Sequence, residues 1–144
     1  MMTRADTLLG RDTIRDLADK YIAFLESNEP PGELFEPDIF ADITVPHWRL
    51  QAGDVPGLVA IRVGGHPGTG QVARHRLDAT STGFVLEVEE RWVDDAGAHW
   101  YCRELFRADV SPAGRISRLS VYCTGDWDEA LVAQHAAAVQ LIRP

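Results

Sequence analysis

The second half of the sequence alternates apolar and polar residues, and short clusters of turn-forming residues interrupt this alternation three times. The clusters lie at 81–83, 94–97 and 111–114, and each contains glycine. Alternation bounded by such clusters is typical of strands joined by tight turns. We predict four strands, at about 71–81, 84–93, 99–110 and 115–124. Because short loops join antiparallel neighbours, this half is predicted to form an antiparallel sheet.

The first half has helical spacing instead. Its first apolar set follows Thr13, the predicted N-cap, and consists of Ile14, Leu17, Ala18, Tyr21, Ile22 and Leu25. This pattern predicts an amphipathic helix of about four turns, ended by the prolines and glycine at 30–32. A short second helix is predicted over 34–40, followed by an apolar stretch at 43–50. Pro46 marks that stretch as an edge or bulged strand.

Two further helices are predicted from their caps. Asp54 precedes a short apolar segment that ends at Gly64 and Gly65, which is the pattern of a capped helix. Asp126 and Glu129 have the spacing of a capping box ahead of an alanine-rich helix over about 127–142. The glycine-rich loop at 64–70 lacks the ending of a phosphate-binding loop, and we interpret it as a mobile loop.

Composition limits the classes of function. A chain of 144 residues with 45% hydrophobic positions has the size of one domain, 1–144, and a formal charge of -8 repels nucleic acid and anionic membranes. No apolar run near the N-terminus is typical of a signal peptide, so we expect a cytoplasmic protein. Two cysteines without metal-ligand spacing predict neither a disulfide framework nor a metal site. We therefore expect no cofactor.

The predicted turns set a register for the sheet. Val93 is expected opposite His99, and Val110 opposite Arg115. The resulting pairs are Trp92 with Trp100, Glu90 with Cys102, Leu86 with Phe106, Phe106 with Leu119, Glu104 with Val121, Cys102 with Cys123, His75 with Glu90 and Leu77 with Val88. One face of the sheet then becomes mainly apolar and the other mainly charged.

Three ionisable side chains fall on the apolar face: His75, Glu90 and Glu104. Burial of a carboxylate is costly unless it is paired, so two interpretations stay open. In the structural one, His75 and Glu90 form a satisfied pair and Glu104 is hydrogen-bonded or lies at a solvated rim. In the functional one, the three act as acid and base against an aromatic wall formed by Trp92, Trp100 and Tyr21.

This order of elements resembles the nuclear transport factor 2-like cone fold. The opening helix with Tyr21, the segment at 35–45 and the ending at 114–119 are similar to SnoaL-like members of that superfamily. The resemblance covers about 12–124. It implies an α+β fold in which a cone-shaped, curved antiparallel sheet wraps around N-terminal helices, here with an extra C-terminal helix. Homodimers through the outer sheet face are common in such folds, and the resemblance implies one here.

The resemblance also implies a range of functions. Members include polyketide cyclases, ketosteroid isomerase, scytalone dehydratase, limonene epoxide hydrolase and non-catalytic binding modules. We expect a cofactor-independent enzyme that moves protons on a small hydrophobic or polyketide-like molecule, as a dehydratase, isomerase or cyclase. The alternatives are a hydrophobic-ligand-binding or interaction module and an epoxide-hydrolase-like enzyme.

Under this expectation His75 is the acid and base, Glu90 orients it, and Glu104 carries a second proton. The predicted pocket residues are Tyr21, Trp48, Trp92, Trp100, Phe106 and Cys123. Trp48 is alternatively a core residue beside a surface His47. Many members carry an aspartate where this chain has Cys123, and Asp126, a few residues later, is more simply a helix cap.

Overall fold

The computed structural model describes residues 10–66 and 68–144, which form three helices and seven strands. The helices are α1 (Arg11–Ser27), α2 (Val55–Gly65) and α3 (Glu129–Ala138). The strands are β1 (Phe35–Val45), β2 (Trp48–Ala52), β3 (Gln71–Ala79), β4 (Gly83–Val93), β5 (His99–Val110), β6 (Ile116–Cys123) and β7 (Trp127–Asp128). Within these ranges, no helix has both the length and the apolar character needed to cross a membrane.

All seven strands belong to one curved, unclosed sheet. Its order is β2-β1-β6-β5-β4-β3, and β7 pairs with β5. Neighbouring strands are antiparallel except β1 and β6, which are parallel. The α+β cone fold with a C-terminal helix is therefore confirmed, with one parallel pair in a sheet that we expected to be antiparallel.

The core lies between the concave face of the sheet and the first two helices. Along β4 and β5 every second side chain is buried, as the period of a strand requires. Helix α1 contributes Tyr21 and Phe24, whose rings meet Phe35 and Phe106 edge to face. Each such large apolar side chain contributes about 1.5–3 kcal/mol when fully buried. This aromatic cluster holds α1 against the sheet.

The predicted register of the β4–β5 pair is confirmed. Val93 lies opposite His99, and Glu90 lies opposite Cys102. The turn between the strands is fixed by Asp94, whose carboxylate accepts hydrogen bonds from the backbone N–H groups of Ala96 and Ala98. Local turn chemistry therefore sets which side chains share the concave face.

The registers of the two flanking pairs were predicted wrongly, each by two residues. His75 lies opposite Val88 rather than Glu90, because the turn before β4 pairs Ala79 with Phe84, and this register continues without a break to His75. Cys123 lies opposite Glu104, because the turn pairs Val110 with Ile116 rather than Arg115, and a bulge between Asp109 and Val110 shifts the register by one more residue. A shift of two residues keeps each side chain on its predicted face, so the division into an apolar and a charged face survives.

The predictions for individual helices and their caps were confirmed only in part. The helix predicted over 34–40 is wrong, since this segment belongs to β1. The Asp54 cap is confirmed, because its carboxylate accepts from the N–H of Gly57. The Thr13 cap is wrong, since α1 begins at Arg11 after Gly10. The N-cap of α3 is Asp128 rather than Asp126, and its carboxylate accepts from the N–H of Leu131. Pro46 lies in the turn that joins the edge strand β2 to β1.

Candidate functional site

A cavity of about 340 Å³ opens between the concave face of the sheet and helices α1 and α2. Its wall is mainly apolar and includes Tyr21, Phe24, Leu58, Phe106 and Val121. Four chemically active side chains interrupt this wall: Arg62, His66, Glu104 and Cys123. We call this space the inner cavity. Its volume is that of a site for a small organic molecule.

Arg62 reaches the core from α2. It follows Leu58 by four residues, so both side chains lie on the buried face of the helix. Its Nη1 and Nη2 donate to Oε2 and Oε1 of Glu90 at 2.9 and 2.5 Å. Nη2 also donates to the carbonyl of Leu25 at 2.8 Å, and Nε to Oδ1 of Asn28 at 3.2 Å. The guanidinium is thus held on every side, and its charge is matched by Glu90.

Glu90 is fully buried and ionised. Burial alone would raise the pKa of this carboxyl, but hydrogen bonds from Glu104 and Arg62, together with the charge of Arg62, lower the pKa overall. The Arg62–Glu90 pair is therefore a closed ion pair in the protein interior. Because both oxygens of Glu90 accept hydrogen bonds from Arg62, this carboxylate has little capacity to act on a substrate.

Glu104 lies on the neighbouring strand β5 and has no such closed pair. Its side chain is 4% exposed, and its Oε1 accepts a hydrogen bond from the thiol of Cys102 at 3.3 Å. Arg62 Nη1 is 3.7 Å from the same oxygen. Burial raises the pKa of Glu104 well above its usual value, and the hydrogen bond and negative charge of Glu90 raise it further. These effects favour the protonated form of Glu104, whose carboxyl group faces an apolar cavity.

His66 follows the last turn of α2 and is largely buried. Its Nε2 is 3.9 Å from Oε1 of Glu104, and its Nδ1 is 3.8 Å from Oδ1 of Asp126. The Nδ1 atom has no hydrogen-bond partner. The edge of Trp92 packs against the imidazole with ring centroids 4.7 Å apart, which fixes the plane of the ring. The imidazole stands between two carboxyl groups without being bonded to either.

Cys123 ends β6 beside His66. The backbone N–H of Gly125 donates to its sulfur at 3.4 Å. A hydrogen bond from Cys102 foremost, followed by those from His66 and Gly125, lowers the pKa of Cys123 to about 5 against the opposing effect of burial. Its partner differs in state, because the hydrogen bond to Cys123 and burial raise the pKa of Cys102. Both cysteines are free thiols in the structure.

A second cavity of about 440 Å³ lies outside the first and is more polar. It is lined in part by Pro46, Gly125, Asp126 and Trp127, and we call it the outer cavity. His66 and Cys123 line both cavities. They therefore form the boundary between the apolar interior and the outside.

Two overlapping sets of side chains bring metal-ligating atoms together. The donor atoms of His66, Cys102, Cys123 and Asp126 lie within 4.8 Å of one another, and so do those of His66, Glu90, Cys102 and Glu104. In the second set both oxygens of Glu90 already accept hydrogen bonds from Arg62. The first set is the one whose donors are free to meet an ion.

The structure brings together only some of the predicted site residues. Glu90 and Glu104 meet as expected, but His75 is exposed on β3 and the predicted pair of His75 with Glu90 does not form. The imidazole near the carboxyl groups is that of His66. Its place was missed because His66 lies in the loop interpreted as mobile.

Some of the predicted pocket residues line the inner cavity, and others lie outside it. Tyr21, Phe106 and Cys123 line the inner cavity. Trp92 packs edge to face against His66. Trp100 stacks on Trp92, and its Nε1 donates a hydrogen bond to Asp94. Trp48 is 70% exposed on β2 and belongs neither to the cavity nor to the core.

Arg62 was not among the site residues predicted from the sequence. A signal for it exists, since a buried Glu90 requires a cationic partner and Arg62 follows Leu58 at helical spacing. The cap was the preferred interpretation of Asp126 over a role in the site, whereas its carboxyl faces His66.

Comparison with known proteins rests on structure. No family model matches the chain, and no curated protein matches its sequence. SalBIII, an epoxide hydrolase/cyclase-like enzyme with a role in pyran ring formation in the polyether salinomycin, matches 81% of this chain and 97% of its own at 10% identity and TM-score 0.62.

Two bacterial structures match similarly. A candidate polyketide cyclase from Xanthomonas campestris pv. campestris matches over 78% of this chain and 90% of its own, at 15% identity and TM-score 0.60. An NTF2-like protein of unknown function from Cytophaga hutchinsonii matches over 78% and 96%, at 14% identity and TM-score 0.54. The curved sheet, the helices that fill it and these matches together show that the chain has the nuclear transport factor 2-like fold.

Proposed function

We propose that the protein is an enzyme that transfers a proton to a small, mostly apolar molecule bound in the inner cavity, with Glu104 as the proton donor. The observation that supports this most is the placement of Glu104. Its carboxyl is buried in the wall of an apolar cavity, and the nearest cation, Arg62, is already bound by Glu90. A carboxyl group that stays protonated near neutral pH can act as a general acid.

The chemistry follows from the neighbours of Glu104. Its O–H bond breaks and the proton passes to a hydroxyl, epoxide or carbonyl oxygen of the bound molecule. The carboxylate that forms lies 3.7 Å from Arg62 Nη1, whose charge stabilises it. His66 Nε2, on the same side of the cavity, accepts a proton from a carbon of the molecule. In a dehydration, the C–O bond of the protonated hydroxyl breaks and water leaves as the C=C bond forms. In an isomerisation, the electrons of the C–H bond shift the double bond, and in a cyclisation the deprotonated carbon forms the ring bond to the activated carbonyl or epoxide carbon.

The roles differ from those expected from the sequence. His66 takes the place of His75, and Glu90 holds Arg62 instead of orienting a histidine. Tyr21 and Phe106 shape the apolar wall, and Trp92 positions His66. The names of two neighbours, a candidate polyketide cyclase and an epoxide hydrolase/cyclase-like enzyme, agree with this class of reaction. The cytoplasmic location and the homodimer stay predictions.

A second candidate function is the binding of a hydrophobic ligand without turnover. The observation in its favour is the inner cavity itself, whose wall is apolar apart from four side chains. Such a module needs the cavity but not the protonated state of Glu104. The two functions therefore separate on a substitution of that residue.

The test compares Glu104→Gln and His66→Gln with the wild type on hydrophobic ketones, polyketide-like phenols and epoxides. Binding is followed by tryptophan fluorescence, since Trp92 contacts His66, and turnover by mass spectrometry. We expect both variants to bind, and Glu104→Gln to lose about 100-fold or more in turnover, the usual contribution of a general acid. Glu87→Gln is the matched control, because Glu87 lies on the outer face of β4, half exposed beside Arg103.

Turnover by Glu104→Gln at the wild-type rate would contradict the proposal. Binding by the wild type without any turnover would favour the ligand-binding module.

A further inference from the structure

We infer that His66, Cys102, Cys123 and Asp126 form a binding site for one divalent transition-metal ion of the Zn²⁺ type, at the boundary between the inner and outer cavities. This inference goes beyond the proposed reaction and is tested separately, although the two share His66: with an ion on Nδ1, His66 carries its hydrogen on Nε2 and does not act as the base. It concerns a different group of atoms from the Arg62–Glu90 pair.

The donor set has the chemistry that Zn²⁺ prefers. Two sulfurs, one imidazole nitrogen and one carboxylate oxygen are the donors found in tetrahedral zinc sites. With ordinary bond lengths, the edges of such a tetrahedron are about 3.4 to 3.8 Å. The four donors already lie within 4.8 Å of one another, and the Nδ1 of His66 is 3.8 Å from Oδ1 of Asp126. A contraction of at most about 1.4 Å along any edge would close the site.

The unpartnered nitrogen of His66 is a second, independent observation. The Nδ1 atom is buried and makes no hydrogen bond, which is costly for a polar atom. A bond from this nitrogen to a metal ion would satisfy it. The Nε2–H would then point towards Glu104 at 3.9 Å, in the arrangement by which carboxyl groups orient metal-bound histidines.

The distribution of charge also favours a cation here. Arg62 is bound by both oxygens of Glu90, so it does not neutralise the donors at the cavity boundary. Asp126 has only His66 as a possible cationic partner among its salt-bridge contacts in the described residues. A divalent ion would offset two of the three negative charges of this carboxylate and the two thiolates. On binding, the thiol S–H bonds break, the protons pass to solvent and metal–sulfur bonds form, with no change of oxidation state.

An ion can reach the site from outside. His66, Cys123 and Asp126 line the outer cavity, whereas Cys102 lies beneath them in the sheet.

The test is a titration of reduced, metal-free protein with Co²⁺, a spectroscopic substitute for Zn²⁺. We expect one equivalent to bind, with the visible bands of tetrahedral cobalt and a thiolate-to-cobalt absorption in the near ultraviolet. Cys102→Ser should lower the thiolate absorption by roughly half, since one of two thiolates is lost. His66→Gln and Asp126→Asn should weaken binding at least about tenfold.

His75→Gln is the matched control, because His75 is an exposed histidine outside the site, and it should bind like the wild type. Absence of the tetrahedral and thiolate bands in the wild type would overturn the inference. So would unchanged bands in Cys123→Ser, or equal weakening by His75→Gln. If far-ultraviolet circular dichroism shows that Cys102→Ser does not fold, the partly exposed Asp126 decides, and unweakened binding by Asp126→Asn overturns the inference.

Discussion

Two regions of the concave face carry buried carboxyl groups, and they differ in how those groups are satisfied. Beneath α1, Glu90 is bound on both oxygens by Arg62, which α1 also holds through the carbonyl of Leu25. At the cavity boundary, no cation binds both oxygens of Glu104, and the buried Nδ1 of the nearby His66 has no hydrogen-bond partner. The first region is closed and stabilises the fold. The second is open, and an open arrangement of this kind is what proton transfer or ion binding requires.

The largest expected effect comes from breaking the closed region. Arg62→Ala leaves Glu90 as an uncompensated buried charge, so we expect a loss of about 3–5 kcal/mol in the free energy of unfolding. Urea denaturation measures it. Arg103→Ala, which removes an exposed pair with Glu87 on the outer face, should cost less than about 1 kcal/mol. Similar losses for both variants would contradict the distinction between the two regions.

The two carboxyl groups should also respond oppositely to pH. The raised pKa of Glu104 means that its contribution to stability is complete below about 4.5 and is lost as pH rises through the raised value. Because glutamine does not titrate, the free energy of unfolding of the wild type should fall relative to that of Glu104→Gln as pH rises.

The lowered pKa of Glu90 gives the opposite sign. Its contribution is present above the ordinary value of 4.5 and is lost as pH falls through the lowered one. The cost of Glu90→Gln should therefore be greatest near neutral pH and shrink in acid. Urea denaturation across the pH range measures both variants, and two difference curves of the same slope would refute the assignment.

The two cysteines of the open region should differ in their rate of alkylation. In metal-free protein we expect iodoacetamide to modify Cys123 at least about tenfold faster than Cys102, since Cys123 lines both cavities and Cys102 is fully buried. Peptide mass spectrometry measures the two rates in one sample. The unfolded protein is the control, in which both should react alike, and equal rates in the folded protein would argue against the boundary position of Cys123.

The smallest effect is expected from His75→Gln. His75 is exposed on β3, so its substitution should change the free energy of unfolding by no more than about 0.5 kcal/mol and leave turnover unchanged. Denaturation and turnover measurements check this. A loss of turnover comparable to that of His66→Gln would return the catalytic role to His75.

Part of this arrangement could be predicted from the sequence. Glu90 and Glu104 were placed on one face because their strands are joined by a short turn that fixes the register locally. The partner of His75 was predicted wrongly because the turn pairs Ala79 with Phe84, two residues away from the predicted register, and the turn residues of a single sequence do not decide between the two. The helix predicted over 34–40 failed for a related reason, since the pairing of β1 with β6 outweighs a weak helical pattern.

Arg62 and His66 could not be placed so simply. Whether an arginine on a short helix turns inward depends on a carboxylate 28 residues away, and local patterns do not report that separation. His66 follows two glycines at the end of a helix, where sequence alone favours a loop in solvent. Both residues become predictable only when each buried carboxyl group is required to have a cationic or hydrogen-bonding partner.

The parallel pairing of β1 with β6 has a consequence for how the molecule folds. Ala41 lies opposite Leu119, so this contact closes a loop of most of the chain, whereas β4 and β5 meet across a short turn. Contacts between distant residues carry the greater entropic cost and tend to form late. We therefore expect the hairpin to bring its two glutamates together early, and the walls around them to close near the end of folding. A partly folded chain would therefore contain both glutamates in their paired strands but would lack the inner cavity in which a ligand could meet them.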